Sequence, residues 1–268
     1  MGSMTRRQWF ATALTGAVTR RAAVEPYDAV VLDAGSLREI FHSGAATELG
    51  APGSTVKPFV LAALLDARLV RPDERLACPG GLQLLGRRLE CVHERQAGAF
   101  DPVEALAASC NYWFSTMARR LGPERLAEAL QRYGFQVERT ASPDEASLQA
   151  LGLLQISASP AILVRAYARL LLPAPPPLIA AGMRAAVERG TAQRALSKAV
   201  WISGKTGTVP GNASGTTVGW FAGWAKRLAE PDAPGILFCV RVAGATGGGL
   251  AAVRGRELAE RWAGGRLR

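Results

Sequence analysis

Apolar residues gather in strand-length runs at the two ends of the chain and in helix-length runs between them. Residues 27–33, "YDAVVLD", predict a strand, and "SLREIFHS" after the Ala34-Gly35 turn predicts its hairpin partner. Residues 54–70, "STVKPFVLAALLDARLV", are apolar nearly all round, the pattern of a helix buried inside a domain. Pro58 falls in its first turn or so, where a missing N–H is tolerated. Residues 71–100 are rich in Gly and Arg and predict irregular chain. Asp101-Pro102-Val103-Glu104 then reads as a helix start with a capping box, and that helix runs into "SCN", 109–111. "YWFSTMARRLG" and "PERLAEALQRYG" continue as helices, and two more helical runs occupy 159–172 and 178–195, joined by a "PAPPP" loop. The last third predicts strands over 199–209, 217–225 and 235–243 and a helix over 249–263. Strands first, helices in the middle, strands and a helix last: this order predicts an α/β protein of the α+β type. Its five-stranded antiparallel sheet is flanked by helices, and the first and last segments meet in it. A single domain is expected over 27–268, after an export signal or tail over 1–26, with no internal repeat.

Composition narrows this picture only slightly. The 268 residues are 49% hydrophobic and 20% charged, an ordinary globular balance, and the formal net charge is +10. The arginines are scattered, with no Lys/Arg stripe interleaved with aromatics, so a nucleic-acid partner is not expected. No apolar run reaches the ~20 residues needed to span a bilayer as a helix. "TRRQWFATALTGAV", 5–18, resembles a twin-arginine export signal, although Arg21 stands where a cleavage site wants a small residue; the competing reading is a basic tail. Four cysteines (Cys78, Cys91, Cys110, Cys239) and two histidines (His42, His93) show no CxxC or Cys/His metal spacing, so no metal is expected. Cys78 and Cys91 flank a Gly-rich stretch and read either as a disulfide of an exported protein or as two separate thiols. Cys239, in "GILFCVRV", reads as core.

Three polar groups interrupt this apolar pattern. Ser54 and Lys57 open the buried helix three residues apart, which places them on one helical face. A serine hydroxyl needs a base, and a lysine serves only when burial, a neighbouring cation or a helix N-terminus keeps it neutral. Ser109-Cys110-Asn111 follows a helix. It reads as a capped junction, or as a second serine that relays a proton beside an amide that holds substrate backbone. Lys205-Thr206-Gly207-Thr208 ends a strand. Its Lys supplies a cation, its threonines can grip a carboxylate, and Gly207 lets another backbone pass close. SxxK or SxN alone arises by chance in many chains; the three in this order do not.

With these motifs the chain resembles the transpeptidase domain of penicillin-binding proteins over most of residues 27–245. "PGSTVKPF" is similar to the family's nucleophile segment, "ASCNYWFSTMARRLG" to its second motif and following helix, "GMRAAVERGTAQRA" with "SGKTGT" to its third region, and "GWFAGWA" to the adjoining strand. The resemblance implies a serine D,D-transpeptidase acting on D-Ala-D-Ala stem peptides of peptidoglycan. Ser54 would be the nucleophile, Lys57 its base and Ser109 the proton relay. The N–H groups of Ser54 and Thr208 would form the oxyanion hole. Asn111 would hold the substrate backbone; Lys205, Thr206 and Thr208 would hold the terminal carboxylate. It further implies β-lactams as ligands, other wall-synthesis proteins as partners, an exported, periplasmic or envelope location, and no metal or organic cofactor. Two departures stand out: there is no room for a glycosyltransferase domain or long pedestal, and Ala97-Gly98 replaces a frequent His-Gly. Three rival outcomes share the acylation step: a class D-like β-lactamase, a D,D-carboxypeptidase, and a β-lactam sensor or scaffold. "EASLQ", 145–149, resembles the deacylation segment of class A β-lactamases, with Glu145 read as a solvated loop acid.

Overall fold

A computed structural model of the chain describes residues 26–94, 98–211 and 214–267. The export-signal stretch 5–18 and Ala97 lie outside them. The sheet is five-stranded and wholly antiparallel, as expected. Its strands are β1 (Asp28–Asp33), β2 (Glu39–Ser43), β3 (Val200–Pro210), β4 (Thr217–Arg227) and β5 (Ile236–Ala243), in the spatial order β2-β1-β5-β4-β3. The first strand therefore pairs with the last, Asp28 opposite Arg241 and Asp33 opposite Ile236. Arg241 is buried at the end of that pair and donates through Nε to Asp28 Oδ2 at 2.7 Å and through Nη1 to Glu48 O at 2.8 Å.

Both faces of the sheet are covered, which is why its strands read as continuous apolar runs rather than as alternation. Val30, Leu32, Trp220, Ala222, Leu237 and Cys239 face one core. Ala29, Val31, Phe221, Phe238, Val240 and Val242 face the other. The first core is built on α1 (Lys57–Asp66), α2 (Pro102–Ala107), α3 (Asn111–Ala118), α4 (Pro123–Arg132), α5 (Pro143–Ala150) and α6 (Pro160–Leu171). The second receives residues of α7 (Pro177–Arg189) and α8 (Ala252–Ala263). Helix α1 is buried on all sides over Lys57–Leu64. Phe59 at its centre packs edge-on against Tyr133, Phe135 and Tyr167 at 4.9–5.0 Å. Burial of such a side chain contributes ~1.5–3 kcal/mol.

Four local expectations are corrected. The run 54–70 is not one helix: Gly53–Val56 form a 3-10 turn, α1 begins at Lys57, and the helix closes early because Arg68 turns left-handed. The run 178–195 breaks at Gly190, where a Cβ would lie 2.3 Å from Ala107 O; a single 3-10 turn comes next at Gln193–Ala195. Residues 71–100 are not wholly irregular, since Leu76–Ala77 pairs with Ala99–Phe100 and Gly81–Leu84 with Arg87–Glu90. Glu145 lies not in a loop but in the first turn of α5, N-capped by Ser142, and its carboxylate accepts from Ala141 N at 2.7 Å. The predicted capping box is present: Glu104 N donates to Asp101 Oδ1 at 2.9 Å and Asp101 N to Glu104 Oε2 at 3.1 Å.

Candidate active site

The turn that carries Ser54 is fixed from below. Thr55 Oγ1 donates to Pro52 O at 2.7 Å, and the buried Tyr167 hydroxyl of α6 donates to Thr55 O at 2.9 Å. Strand β3 passes so close that a Cβ on Gly207 would lie 2.6 Å from Pro52 O and 3.1 Å from Thr55 Cγ2. Only glycine fits between the serine turn and the strand. A Gly207→Ala chain is expected to lose ~1–3 kcal/mol of stability through overpacking, read from denaturant melts, because β3 must retreat from the serine turn.

The junction of α2 and α3 supplies the second wall. Ser109 has a left-handed backbone (φ 55°), unusual for a residue other than glycine. Holding it costs on the order of 1–3 kcal/mol and marks a place where the surroundings dictate the geometry. Both polar atoms of Ser109 meet Lys57: Nζ donates to Ser109 O at 2.7 Å and Ser109 Oγ at 3.2 Å. A third bond runs from Nζ to Asn111 Oδ1 at 2.7 Å. The Asn111 amide donates in turn to Glu90 O at 3.0 Å. On the other side, Lys205 Nζ donates to Ser109 Oγ at 2.8 Å and to Thr206 O at 3.0 Å. Ser109 Oγ thus stands between two lysines, both fully buried.

Burial pushes Lys57 down to about 7, against the opposing charge of Cys110 and Cys91. Burial also holds Lys205 well below its ordinary value, and repulsion from Lys57 adds to this. The sequence expects burial, the helix N-terminus and the Lys205 cation together to depress Lys57. Here burial is the leading cause for both, because desolvation penalises each ammonium before the two repel.

Ser54, Ser109, Asn111, Thr206, Gly207 and Thr208 line one cleft of about 610 Å³. Lys57 and Lys205 sit behind its wall rather than on it. Thr206 Oγ1 pairs with Thr191 Oγ1 at 2.7 Å, and Thr208 Oγ1 accepts from Gly247 N at 3.0 Å. Among the described residues the Ser54 side chain makes no hydrogen bond, so its hydroxyl is open to the cleft. A larger cavity of about 760 Å³, lined by Leu37, Leu172 and Trp224 among others, contains none of the motif residues. The motif residues meet in the smaller one.

Sequence reasoning missed Arg189, Thr191 and Thr246 as lining residues. A signal for the first two was present: Gly190 directly after the helical run is a stop, and the chain beyond it leaves the helix. Glu145 is not among the residues of the cleft. All four cysteines are free, and Cys239 is fully buried core, as expected. No helix among the described residues is long and apolar enough to cross a membrane.

A family profile covers more than half of the chain, and the architecture recurs in known proteins. The profile of the penicillin binding protein transpeptidase domain matches residues 16–172, which include Ser54, Lys57, Ser109 and Asn111 but not the 205–208 motif. Penicillin-binding protein PbpB of Mycolicibacterium smegmatis is 30% identical over 97 residues. That stretch is 36% of this chain and 15% of the relative, so well under two thirds of PbpB is represented. The whole fold is similar to two solved structures. One is Pseudomonas aeruginosa PBP2 in complex with WCK 5153, with TM-score 0.73, 20% identity, and 89% of this chain and 71% of that one covered. The other is the D,D-transpeptidase domain of a peptidoglycan glycosyltransferase from Eggerthella lenta, with TM-score 0.75, 16% identity, and 91% and 80% covered. At these identities the structures speak for the fold, while the sequence profile, with the Ser54–Lys57 and Ser109–Asn111 segments inside it, speaks for descent. The chain belongs to the penicillin-binding-protein transpeptidase family, within the serine D,D-peptidase and β-lactamase superfamily.

Proposed function

We propose that the protein is a serine D,D-transpeptidase that cross-links peptidoglycan through an acyl-enzyme on Ser54. The observation that carries this reading is a fully buried Lys57, held by Ser109 and Asn111, directly after a serine turn that opens on the cleft. In the neutral form Lys57 keeps two hydrogens for Ser109 O and Asn111 Oδ1, and its lone pair can take the Ser54 proton. Ser54 Oγ then attacks the penultimate D-alanine carbonyl. The resulting oxyanion is held by the N–H groups of Ser54 and Thr208. Their segments are adjacent, since a Cβ on Gly53 would lie 3.4 Å from Thr208 N. As the C–N bond breaks, Ser109 gives its proton to the departing amine and regains one from Lys57. An acceptor amine from a neighbouring stem peptide repeats the sequence in reverse and takes the acyl group.

Asn111 orients the substrate backbone. Thr206 and Thr208 meet its terminal carboxylate, with Lys205 supplying positive charge from behind. Arg189 at the cleft adds a cation for an acidic stem peptide. β-Lactams, whose strained amide mimics the substrate, acylate the same serine. Peptidoglycan cross-linking takes place outside the cytoplasmic membrane, so the reading includes export and encounters with other wall-synthesis proteins.

Deacylation separates this reading from a β-lactamase. The described residues that line the cleft carry no carboxylate to activate a water, which favours a long-lived acyl-enzyme. Intact-mass spectrometry after exposure to benzylpenicillin should give one stable adduct, mapped to the peptide containing Ser54. A chromogenic cephalosporin should be consumed to one equivalent only. Rapid multiple turnover would move the assignment to a β-lactamase. With a D-Ala-D-Ala pentapeptide, transfer to an added amine should exceed hydrolysis; hydrolysis alone would make the protein a carboxypeptidase.

A further inference from the structure

Beside the second motif the fold gathers four metal-ligating side chains drawn from three separate stretches of the chain. Cys78 Sγ is 3.7 Å from Cys91 Sγ, and Cys91 Sγ is 4.0 Å from Cys110 Sγ. His93 completes the group, and one ligand atom from each of the four residues lies within 4.8 Å of all the others. A tetrahedral zinc ion with Zn–S bonds of about 2.3 Å sets two bound sulfurs about 3.8 Å apart, close to both sulfur separations.

The histidine is already in the tautomer such an ion needs. His93 Nδ1 lies 2.9 Å from Glu94 O, and a carbonyl only accepts, so Nδ1 carries the proton. Nε2 is left with its lone pair. It is buried and has no hydrogen-bond partner among the described residues. Phe100 packs on the ring at 4.6 Å and fixes its plane. Two of the sulfurs accept backbone N–H groups, Cys78 from Gly80 at 3.3 Å and Cys110 from Trp113 at 3.4 Å. Bonds of this kind orient metal-bound thiolates and tune their basicity.

We propose that Cys78, Cys91, His93 Nε2 and Cys110 form a structural zinc site. Three thiolates and one imidazole are a soft, four-coordinate set that suits zinc and leaves no open position for water, so the ion would hold structure rather than hydrolyse substrate. What it would hold is one wall of the cleft. Cys110 is the middle residue of Ser109-Cys110-Asn111, and the Asn111 amide already bonds to Glu90 O, next to Cys91. The ion would tie the ribbon Gly81–Leu84/Arg87–Glu90 to the turn that carries Ser109 and Asn111. Chain spacing alone predicts no metal, because Cys91-x-His93 is the only close pair and the other two ligands arrive through the fold.

The test uses the full chain, purified without chelator and with thiols reduced. Elemental analysis should find one zinc per chain. Exchange into Co²⁺ should produce sulfur-to-cobalt charge-transfer bands and the intense visible bands of a tetrahedral site. His93→Gln and Cys91→Ser, both at half-buried positions, should each weaken zinc binding by more than ~10-fold, while Cys239→Ala leaves it unchanged. The Ser54→Ala chain should bind zinc as the parent does, so failure of the acylation chemistry and failure of the metal site are separate results. A reduced chain that neither retains zinc nor takes up Co²⁺ overturns the proposal. So does a Cys78–Cys91 disulfide found by peptide mapping in protein recovered directly from cells.

Discussion

A Ser54→Ala chain is expected to carry no penicillin adduct while melting at the temperature of the parent. Ser54 is partly exposed on a 3-10 turn, and its hydroxyl forms no bond among the described residues on which the fold depends. Its loss is therefore cheap in stability and complete in chemistry. The neighbouring hydroxyl cannot take its place. Ser109 Oγ is engaged by Lys57 at 3.2 Å and Lys205 at 2.8 Å, behind a carbonyl that is also held. Passing a proton to a leaving amine leaves these contacts in place, but bonding to the substrate carbonyl would break both and cost each buried lysine one of its acceptors. Intact mass after benzylpenicillin, read beside a circular-dichroism melt, gives both results from one preparation. An adduct of full intensity on the alanine chain would sink the assignment of the nucleophile.

Lys57→Ala should slow acylation by roughly 10²–10⁴-fold, the usual contribution of a positioned general base. The pH profile gives a sharper reading than the rate. A lysine that acts as a base must be neutral, and burial brings Lys57 to about 7. Below that value the ammonium predominates and acylation is slow; above it the amine predominates and the rate reaches a plateau. Fluorescent-penicillin labelling should therefore rise with pH through a midpoint near 7 in the parent, and that limb should vanish in Lys57→Ala. Because Lys57 and Lys205 meet at one hydroxyl, the midpoint belongs to the buried pair. A limb that survives unchanged without Lys57 would assign the base elsewhere. The substitution should also destabilise the chain, since Ser109 O and Asn111 Oδ1 lose their buried donor.

The motif residues stood out in the sequence because chemistry restricts residue type. A serine followed by a nearly all-apolar helix with one lysine at its first residue has few structural explanations, and a fully buried Lys205 in the middle of a strand has fewer; the strand runs on to Pro210 rather than ending at the 205–208 motif. The sheet was legible for another reason: strands buried on both faces form apolar runs that stand out against polar turns. What could not be read were arrangements made by tertiary contact. Ser109 gives no sign in sequence of its left-handed backbone: it takes the place usually held by glycine in the turn that closes α2, with Ser109 N donating to Leu106 O at 3.3 Å and Cys110 N to Ala105 O at 2.9 Å. The Thr191–Thr206 bond joins residues separated by a helix end that the apolar pattern runs through. The ribbons within 71–100 are two to four residues long, too short for period-2 alternation to register above the Gly and Arg around them. The 109–111 junction reads as capped by its Ser and Asn, whereas the N-cap of α3 is Cys110, whose Sγ accepts from Trp113 N at 3.4 Å; its nearness to Cys78 and Cys91 depends on how those ribbons fold back on the second motif.

The pairing of the first strand with the last sets the order in which the protein can be completed. Arg241 and Asp28 are 213 residues apart in sequence, and β1 finds its inner neighbour only when β5 has been made. Contacts of this range slow folding, because the loop they close must be ordered before they repay it. During synthesis the β1–β2 hairpin waits with an unpaired apolar edge, a template for pairing with other chains. A chain that ends before Ile236 would keep that edge permanently open. It would still contain Ser54, Lys57, Ser109 and Lys205, yet it would be expected to aggregate, because the sheet that aligns them is closed by its last strand.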